Sequence, residues 1–344
     1  YDHVKQKDSP YGTFSDYTYM NPYLYPYDEN GNVKQVLYTF ADESQALNPM
    51  YNATLGTKSE KAYDDFINNF SLEWKIKDVW TVMARFGIGT QTTHKEYFLS
   101  AQHSKFANMG DAITSPEEYM RRGEFKLEDR RMFDYSGDLN IRYGQSWGKH
   151  TIYAIGGVNI SQNKEDASII HAEGFPNDRM TNIGFAKQYY KDSRPESEYT
   201  IRRLLGILVT ANYSYDTRYL FDFSFKIDGS SNFGNDNKYA PVWSAGVGWN
   251  IHKEKWVEAL SLFSLLKIRG SYGVTAAQNF SPFQAFRMYQ YNINKQYSGI
   301  IPPKLMGLGN RDLKWQQTKK INLGFELGLW DDRVLLTLDL YRST

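Results

Sequence analysis

The 344-residue chain contains no cysteine. That excludes a disulfide framework and any thiolate metal site, and it says nothing about compartment. No apolar run of about 18 residues occurs, so no membrane-spanning helix is expected. Charge of one sign is also missing. Forty basic against 39 acidic residues leave a net charge of +1, with no basic block of the kind that binds nucleic acid. There is no G-x-S-x-G, no H-E-x-x-H and no Walker loop, so no catalytic residue and no enzyme activity are expected. Gly87 and Gly89 in "FGIGTQT" lack the third glycine and following helix of a phosphate cradle. His3, His94, His103, His150, His171 and His252 are expected to be scattered through loops and turns, without forming a metal site. "DENGN" at 28–32 lacks the later glutamate of a calcium loop and reads as a hairpin turn on Asn30 and Gly31. No cofactor is expected.

Aromatic residues are what the chain has in excess, at 16% of the sequence. In "TRYLFDFSFKIDG", from Thr217, an extended backbone puts Tyr219, Phe221, Phe223, Phe225 and Ile227 on one face. Leu220, Asp222, Ser224, Lys226 and Asp228 fall on the other. "FINNFSLEWKI", "WTVMARFGI" and "FDYSGDLNIRY" repeat the pattern, as do "TIYAIGGVNI", "IRRLLGILVTANYSY", "WSAGVGWNI", "LKIRGSYGV", "INLGFELGL" and "VLLTLDLY". These make ten period-two segments, most roughly nine to eleven residues long, a length that crosses a bilayer with a tilt.

The connections alternate between short (77–78, 144–150, 216–218, 330–333) and long (90–132, 163–199, 276–320). Those at 229–242 and 252–265 are intermediate, the second with a helical turn in "HKEKWVEAL". Short turns on one side and long loops on the other are the pattern of outer-membrane barrels. Trp74, Trp80, Tyr213, Tyr215, Tyr219 and Trp330 flank the short turns, and Phe86, Phe133, Phe225 and Trp243 are placed at the long-loop ends. Two aromatic belts at the two membrane interfaces follow from that placement. The expected fold class is therefore all-β: an antiparallel transmembrane β-barrel segment, lipid-facing through Phe221, Phe223 and Phe225. A soluble secreted all-β carbohydrate-binding or glycosidase domain is the alternative, a retaining glycosidase needing two carboxyls about 5 Å apart on facing strands.

"NKYAPVWSAGVGWNIHKEKW" (237–256), "LKIRGSYGVTAAQN" (266–279) and "DLKWQQTKKINLGFELGLWDDRVLLTLDLY" (312–341) resemble the SusC/RagA family of TonB-dependent outer-membrane transporters of Bacteroidetes. "NPMYNATLGTKSEKAYDDFINNFSLEWKI" (48–76) looks like an earlier part of the same barrel. The chain departs from the family at Ala276 and Ala277, where Gly-Asn is usual, and at Gln316, where Glu is usual. The resemblance implies a barrel of 22 strands, about ten of them in this chain, with the plug domain and C-terminal closing strands outside residues 1–344. Both ends read as cuts, so the chain is expected to be part of a larger protein.

The resemblance also implies the activity: active import of oligosaccharides or peptides across the outer membrane. The implied partners are a SusD-like surface lipoprotein and a TonB complex acting through the plug, within outer-membrane lipid and lipopolysaccharide. Candidate substrate contacts are Tyr23, Tyr25 and Tyr27, with Tyr17 and Tyr19 nearby, and Tyr289 and Tyr291, with Phe286 and Tyr297 nearby. These aromatic faces either grip a sugar or peptide or pack loop upon loop. Asp138, Arg142, Asp222 and Lys226 either brace the wall or meet a plug. Arg203, on an otherwise apolar face, is expected at the outer interface, against lipopolysaccharide phosphates or a loop carboxylate.

Overall fold

The computed structural model describes residues 1–344 except Pro10, Tyr19, 42–44, Asn108, Asp111, 234–236, Ser261, 279–282, 292–296 and Arg311. The strands are β1 (Asp2–Lys7), β2 (Val36–Thr39), β3 (Gln45–Leu47), β4 (Lys58–Ile76), β5 (Trp80–Leu99), β6 (Glu124–Trp147), β7 (His150–Glu173) and β8 (Gln188–Tyr189). They continue as β9 (Glu196–Tyr215), β10 (Tyr219–Ser230), β11 (Tyr239–Asn250), β12 (Phe263–Ala277), β13 (Met288–Tyr291), β14 (Pro303–Gly307), β15 (Gln316–Leu329) and β16 (Val334–Ser343). One 12-stranded sheet runs in the order β1-β4-β5-β6-β7-β9-β10-β11-β12-β15-β16, with β8 paired to β7, and β2-β3 and β13-β14 are separate hairpins. The sequential order is that of an up-and-down meander, the topology of outer-membrane barrels.

All ten period-two segments are strands of this sheet. β1 is an additional strand that periodicity could not reveal, because its residues are polar on both faces. It pairs with β4 through Asp2↔Asp65 to Lys7↔Glu60. The segments expected as long loops are also shorter than the sequence suggests. β5, β6, β7 and β9 extend to 20, 24, 24 and 20 residues, so the connections reduce to 100–123 and 174–195. Phe86 and Phe133 consequently sit inside long strands and not at strand ends, which corrects that part of the second belt.

Tight turns hold the other side. Lys77, Asp216, Thr217, Trp330, Asp331 and Asp332 adopt positive φ, the left-handed turn conformation that matches the twist of the flanking strands. The turn at 28–31 has Gly31 at φ +83° and its amide donating to the Asp28 carbonyl at 3.1 Å. Asn30 is not left-handed, so this hairpin uses glycine after a simple turn.

The chain divides into two compact units: Tyr1–Ile67, Gly89–Phe133 and Glu165–Thr200; and Asn68–Ile88, Asp134–Lys164 and Ile201–Thr344. The division falls within a few residues of where the alternating segments begin or end, at Phe66, Ile88, Phe133, Ile160 and Ile201. The first unit has a small aromatic core in which Phe175 packs edge-on to Phe98 at 5.2 Å and beside Phe125 at 6.1 Å.

The second unit is a wall with two distinct faces. Register places Phe221 between Tyr213 and Val247, Phe223 between Ala211 and Ala245, and Phe225 between Val209 and Trp243. The opposite face aligns Asp222 with Asn212 and Gly246, and Ser224 with Thr210 and Ser244. A one-residue slip would exchange the two sets, so this register is fixed by the solvent on each side. Phe223→Lys should cost about 2–4 kcal/mol of barrel stability, and Ser224→Lys should leave assembly intact. Heat-modifiable gel migration of the two variants of the complete protein checks this; equal defects would mean that the faces are misassigned.

Candidate binding surfaces

Two kinds of surface are available for a ligand: the polar face of the second unit's wall and the tyrosine-bearing loops. On the wall, side chains pair across neighbouring strands. Arg85 forks onto Asp138, with Nε and Nη2 donating at 3.1 and 2.6 Å. Asn212 donates to Asp222 at 2.5 Å, while Lys226 pairs along its own strand with Asp228 at 2.7 Å. Arg269 reaches further, donating to Glu326 on β15 at 3.0 Å and to Asp339 on β16 at 2.7 Å. Its side chain lies across Gly324, where a Cβ would meet Arg269 Nε at 2.6 Å. Only glycine leaves that path open.

Asp138 and Asp222 thus tie neighbouring strands together, and Lys226 is held along its own strand. Arg142 Nε and Asn322 Oδ1 on the same face are buried without a hydrogen-bond partner among the described residues.

In the first unit, the sheet's face chemistry changes. Lys5, Lys7 and Glu60 occupy the alternate positions of β1 and β4 that, further along β4, carry Phe66, Phe70 and Leu72. Glu60 accepts from Lys7 at 2.8 Å and Lys5 at 3.1 Å, and Lys58 donates to Glu96 at 2.9 Å. The His94 ring sits 2.6 Å from Asp129. The opposite face is charged as well. Lys95 and Arg130 both donate to Glu128, at 3.0 and 3.1 Å, and Arg130 also pairs with Glu165 and with Glu198 at 3.2 Å. Charges on both faces mean water on both faces, because an unpaired or solvent-poor ion in hydrocarbon is prohibitive.

These ladders were not singled out from the sequence. The signal was there in "KSEKAYDD", "HKEY" and "KLEDRR", where charges of both signs alternate along extended backbone.

The hydrogen bonds from Lys7 and Lys5 hold the Glu60 carboxyl down at about 2. Despite desolvation by burial, those from Lys95 and Arg130 hold Glu128 below the usual carboxylate range. Hydrogen bonds from the Asn32 side chain and amide likewise lower Asp28.

The loop tyrosines fall in both units. Tyr23 and Tyr25 are 93% and 70% exposed, and Tyr289 and Tyr291 are 60% and 67% exposed. Tyr27 is half-buried and meets Tyr25 edge-on at 5.9 Å. Tyr17 is half-buried with its hydroxyl unpartnered among the described residues, and Tyr19 lies outside them. Tyr289 and Tyr291 occupy alternate positions of β13, opposite Leu305 and Pro303 of β14, and so share one face. Beside the first cluster, Met20, Leu24, Leu37, Tyr38 and Phe40 line a cavity of about 440 Å³.

Four histidines depart from the loop placement expected for them: His3, His94, His150 and His171 lie in strands. Each engages a side chain, His3 with Asp64 at 2.8 Å, His150 with the Tyr213 hydroxyl at 2.7 Å and His171 with Glu124 at 2.8 Å. No group of three or more His, Asp or Glu that could hold a metal occurs among the described residues.

Arg203 is exposed and lies inside β9 (Glu196–Tyr215), near the start of its apolar stretch and not at the end of the strand. Its Nε donates to Gln162 at 2.7 Å, and its amide donates to Ser231 Oγ at 2.9 Å. Lys319 and Arg342 stand at the same end of the apolar face, which carries no other charge on β9 to β16.

Residues 1–344 match the family described as "TonB dependent receptor-like, beta-barrel" over their whole length. The chain belongs to the TonB-dependent receptor β-barrel family. It is 26% identical over 298 residues to TonB-dependent receptor P3 of Formosa agariphila, covering 86% of this chain and 28% of that protein. It is also 26% identical over 317 residues to the TonB-dependent receptor SusC of Bacteroides thetaiotaomicron, again covering 86% of this chain and 28% of the relative. The RagAB peptide transporter structure superposes with a TM-score of 0.73 at 23% identity, over 92% of this chain and 34% of that one. The chain therefore spans less than a third of the curated relatives it matches here.

Family membership places the wall in the outer membrane and sets aside the soluble alternative. The apolar face is then the lipid face and the polar face the lumen. This is a receptor family and not one of enzymes.

The Glu60 ion pairs give a pH test. The folded-state pKa lies below the ordinary 4.5, so their contribution is complete above pH 4.5 and is lost as the pH falls towards about 2. In the complete protein, amide protection of β1 should decline across that window and the decline should vanish in Glu60→Gln. An unchanged pH profile in the variant would remove Glu60 as the anchor of β1.

Proposed function

We propose that this chain is the barrel wall and part of the extracellular loop set of an active outer-membrane importer for a solute too large for porins. The observation that carries the reading is the wall itself, apolar on one face and lined on the other by braced polar side chains. Pairing across strands leaves a rigid, wetted lumen, as a transport path requires. β4 beyond Asp65 and β16 each have a strand neighbour on one side, and lipid satisfies no backbone amide, so further strands close the barrel in the complete protein. A plug occupies that lumen, and a TonB complex works it.

The solute is an oligosaccharide or a peptide. RagAB, which shares the fold, is a peptide transporter. A SusD-like lipoprotein covers the extracellular mouth, on the side of 100–123, 174–195 and 278–315. Arg203, Lys319 and Arg342 form a basic rim at that end of the lipid face, suited to lipopolysaccharide phosphates.

The exposed tyrosine pairs supply stacking faces for either class of solute. Replacing Tyr289 and Tyr291 together with Ala in the complete protein removes about 1 kcal/mol of stacking, which weakens half-saturating uptake roughly fivefold. Uptake is measured in cells across a range of ligand concentrations, with heat-modifiable migration as the assembly control. Unchanged uptake would return both residues to the loop surface.

A further inference from the structure

The connection between β11 and β12 differs from the others on its side of the sheet. The turns at 77–79, 148–149, 216–218 and 330–333 are two to four residues long, whereas this one runs from 251 to 262. It contains one helical turn, Lys255–Glu258, preceded by a 3-10 turn at Ile251–Lys253.

The segment does not hang into water. Glu254 accepts from the Tyr219 hydroxyl at 2.9 Å, from the Trp249 indole N–H at 3.1 Å and from Arg218 at 3.3 Å. Tyr219 and Trp249 are register partners on the apolar face, with rings stacked 6.4 Å apart. They continue an aromatic row that includes Tyr215, His150 and Trp147. Glu254 therefore draws the connection onto the lipid side of the wall, at the level of the aromatic belt. The Leu266 amide donates to His252 Nδ1 at 3.3 Å, and Ile251 and Val257 are buried.

With those groups fixed, Trp256 and Leu260 remain 64% and 60% exposed. Trp256 lies in the helical turn and Leu260 just beyond its Ala259 cap, where the Leu260 amide donates to the Val257 carbonyl at 3.0 Å. Lys253 and Lys255, also exposed, flank them. An exposed indole and an exposed leucine on one short segment, beside a belt of aromatics and among the charged Lys253, Lys255 and Glu258, match the headgroup layer of a bilayer. There an indole is at its most favourable, and cations meet phosphate.

We propose that residues 251–260 form a lipid-binding foot, with Trp256 and Leu260 inserted among phospholipid headgroups at the tight-turn rim of the barrel. The foot rests on the outer-membrane reading of the wall and adds a bilayer contact outside the strands. It fixes the depth of the barrel at this rim and ties the β11–β12 connection to the membrane.

The test uses the complete protein, free of other cysteines and carrying one spin-labelled cysteine at a time, in vesicles of phosphatidylethanolamine and phosphatidylglycerol. Val247→Cys reports the strand's lipid face, Trp256→Cys the foot and Lys253→Cys its aqueous flank. Oxygen and a water-soluble nickel chelate serve as relaxing agents, and heat-modifiable migration confirms folding. The label at 256 should favour oxygen over nickel and lie roughly 5–10 Å into the headgroup and acyl boundary. The label at 253 should favour nickel, and the label at 247 should favour oxygen most strongly. Nickel access at 256 equal to that at 253, with 247 still lipid-exposed, overturns the foot alone. A label at 256 shielded from both agents marks a protein contact and overturns the lipid assignment. Nickel access at 247 overturns the wall reading and the foot with it.

Discussion

Hydrocarbon offers no hydrogen-bond partner, and everything in this chain that crosses it is arranged around that lack. Each buried, unpaired amide or carbonyl in lipid costs several kcal/mol, so a strand can cross only with a hydrogen-bonded neighbour on each side. The meander supplies both neighbours in chain order for the strands between β4 and β16, with tight left-handed turns on one side. Once pairing is obligatory, the side chains are sorted by parity alone. Phe221, Phe223 and Phe225 go to lipid, while Asp222, Ser224 and Lys226 go to water.

The same rule explains where the alternation stops. In the first unit, Lys58, Glu60 and Glu96 stand on one face and Lys95, Glu128 and Arg130 on the other, each with a partner of opposite charge. The strands continue there with paired charges on both faces, which is the chemistry of a surface in water. The face chemistry changes within single strands, beside Phe86 and Phe133, and not at the strand ends.

What could be read from the sequence follows the same physics. The ten crossing strands were legible because lipid on one face and water on the other impose a period of two. β1 and the outer halves of β5, β6 and β7 were not, because water on both faces imposes no period. The tyrosines at 23, 25, 289 and 291 could be named from composition, and their exposure is seen only in the fold. Glu254 was invisible as an anchor, since its partners Tyr219 and Trp249 come from two different strands.

The central claim is that one sheet is two-faced over part of its length and wet on both faces beyond it. It is tested most directly by single spin-labelled cysteines at every position of 221–227 in β10 and of 92–97 in β5, in the complete protein in membranes. Oxygen accessibility should oscillate with a period of two over 221–227 and stay uniformly low, with high access to a water-soluble nickel chelate, over 92–97. A flat profile along β10, or an oscillation that continues through 92–97, would contradict the account.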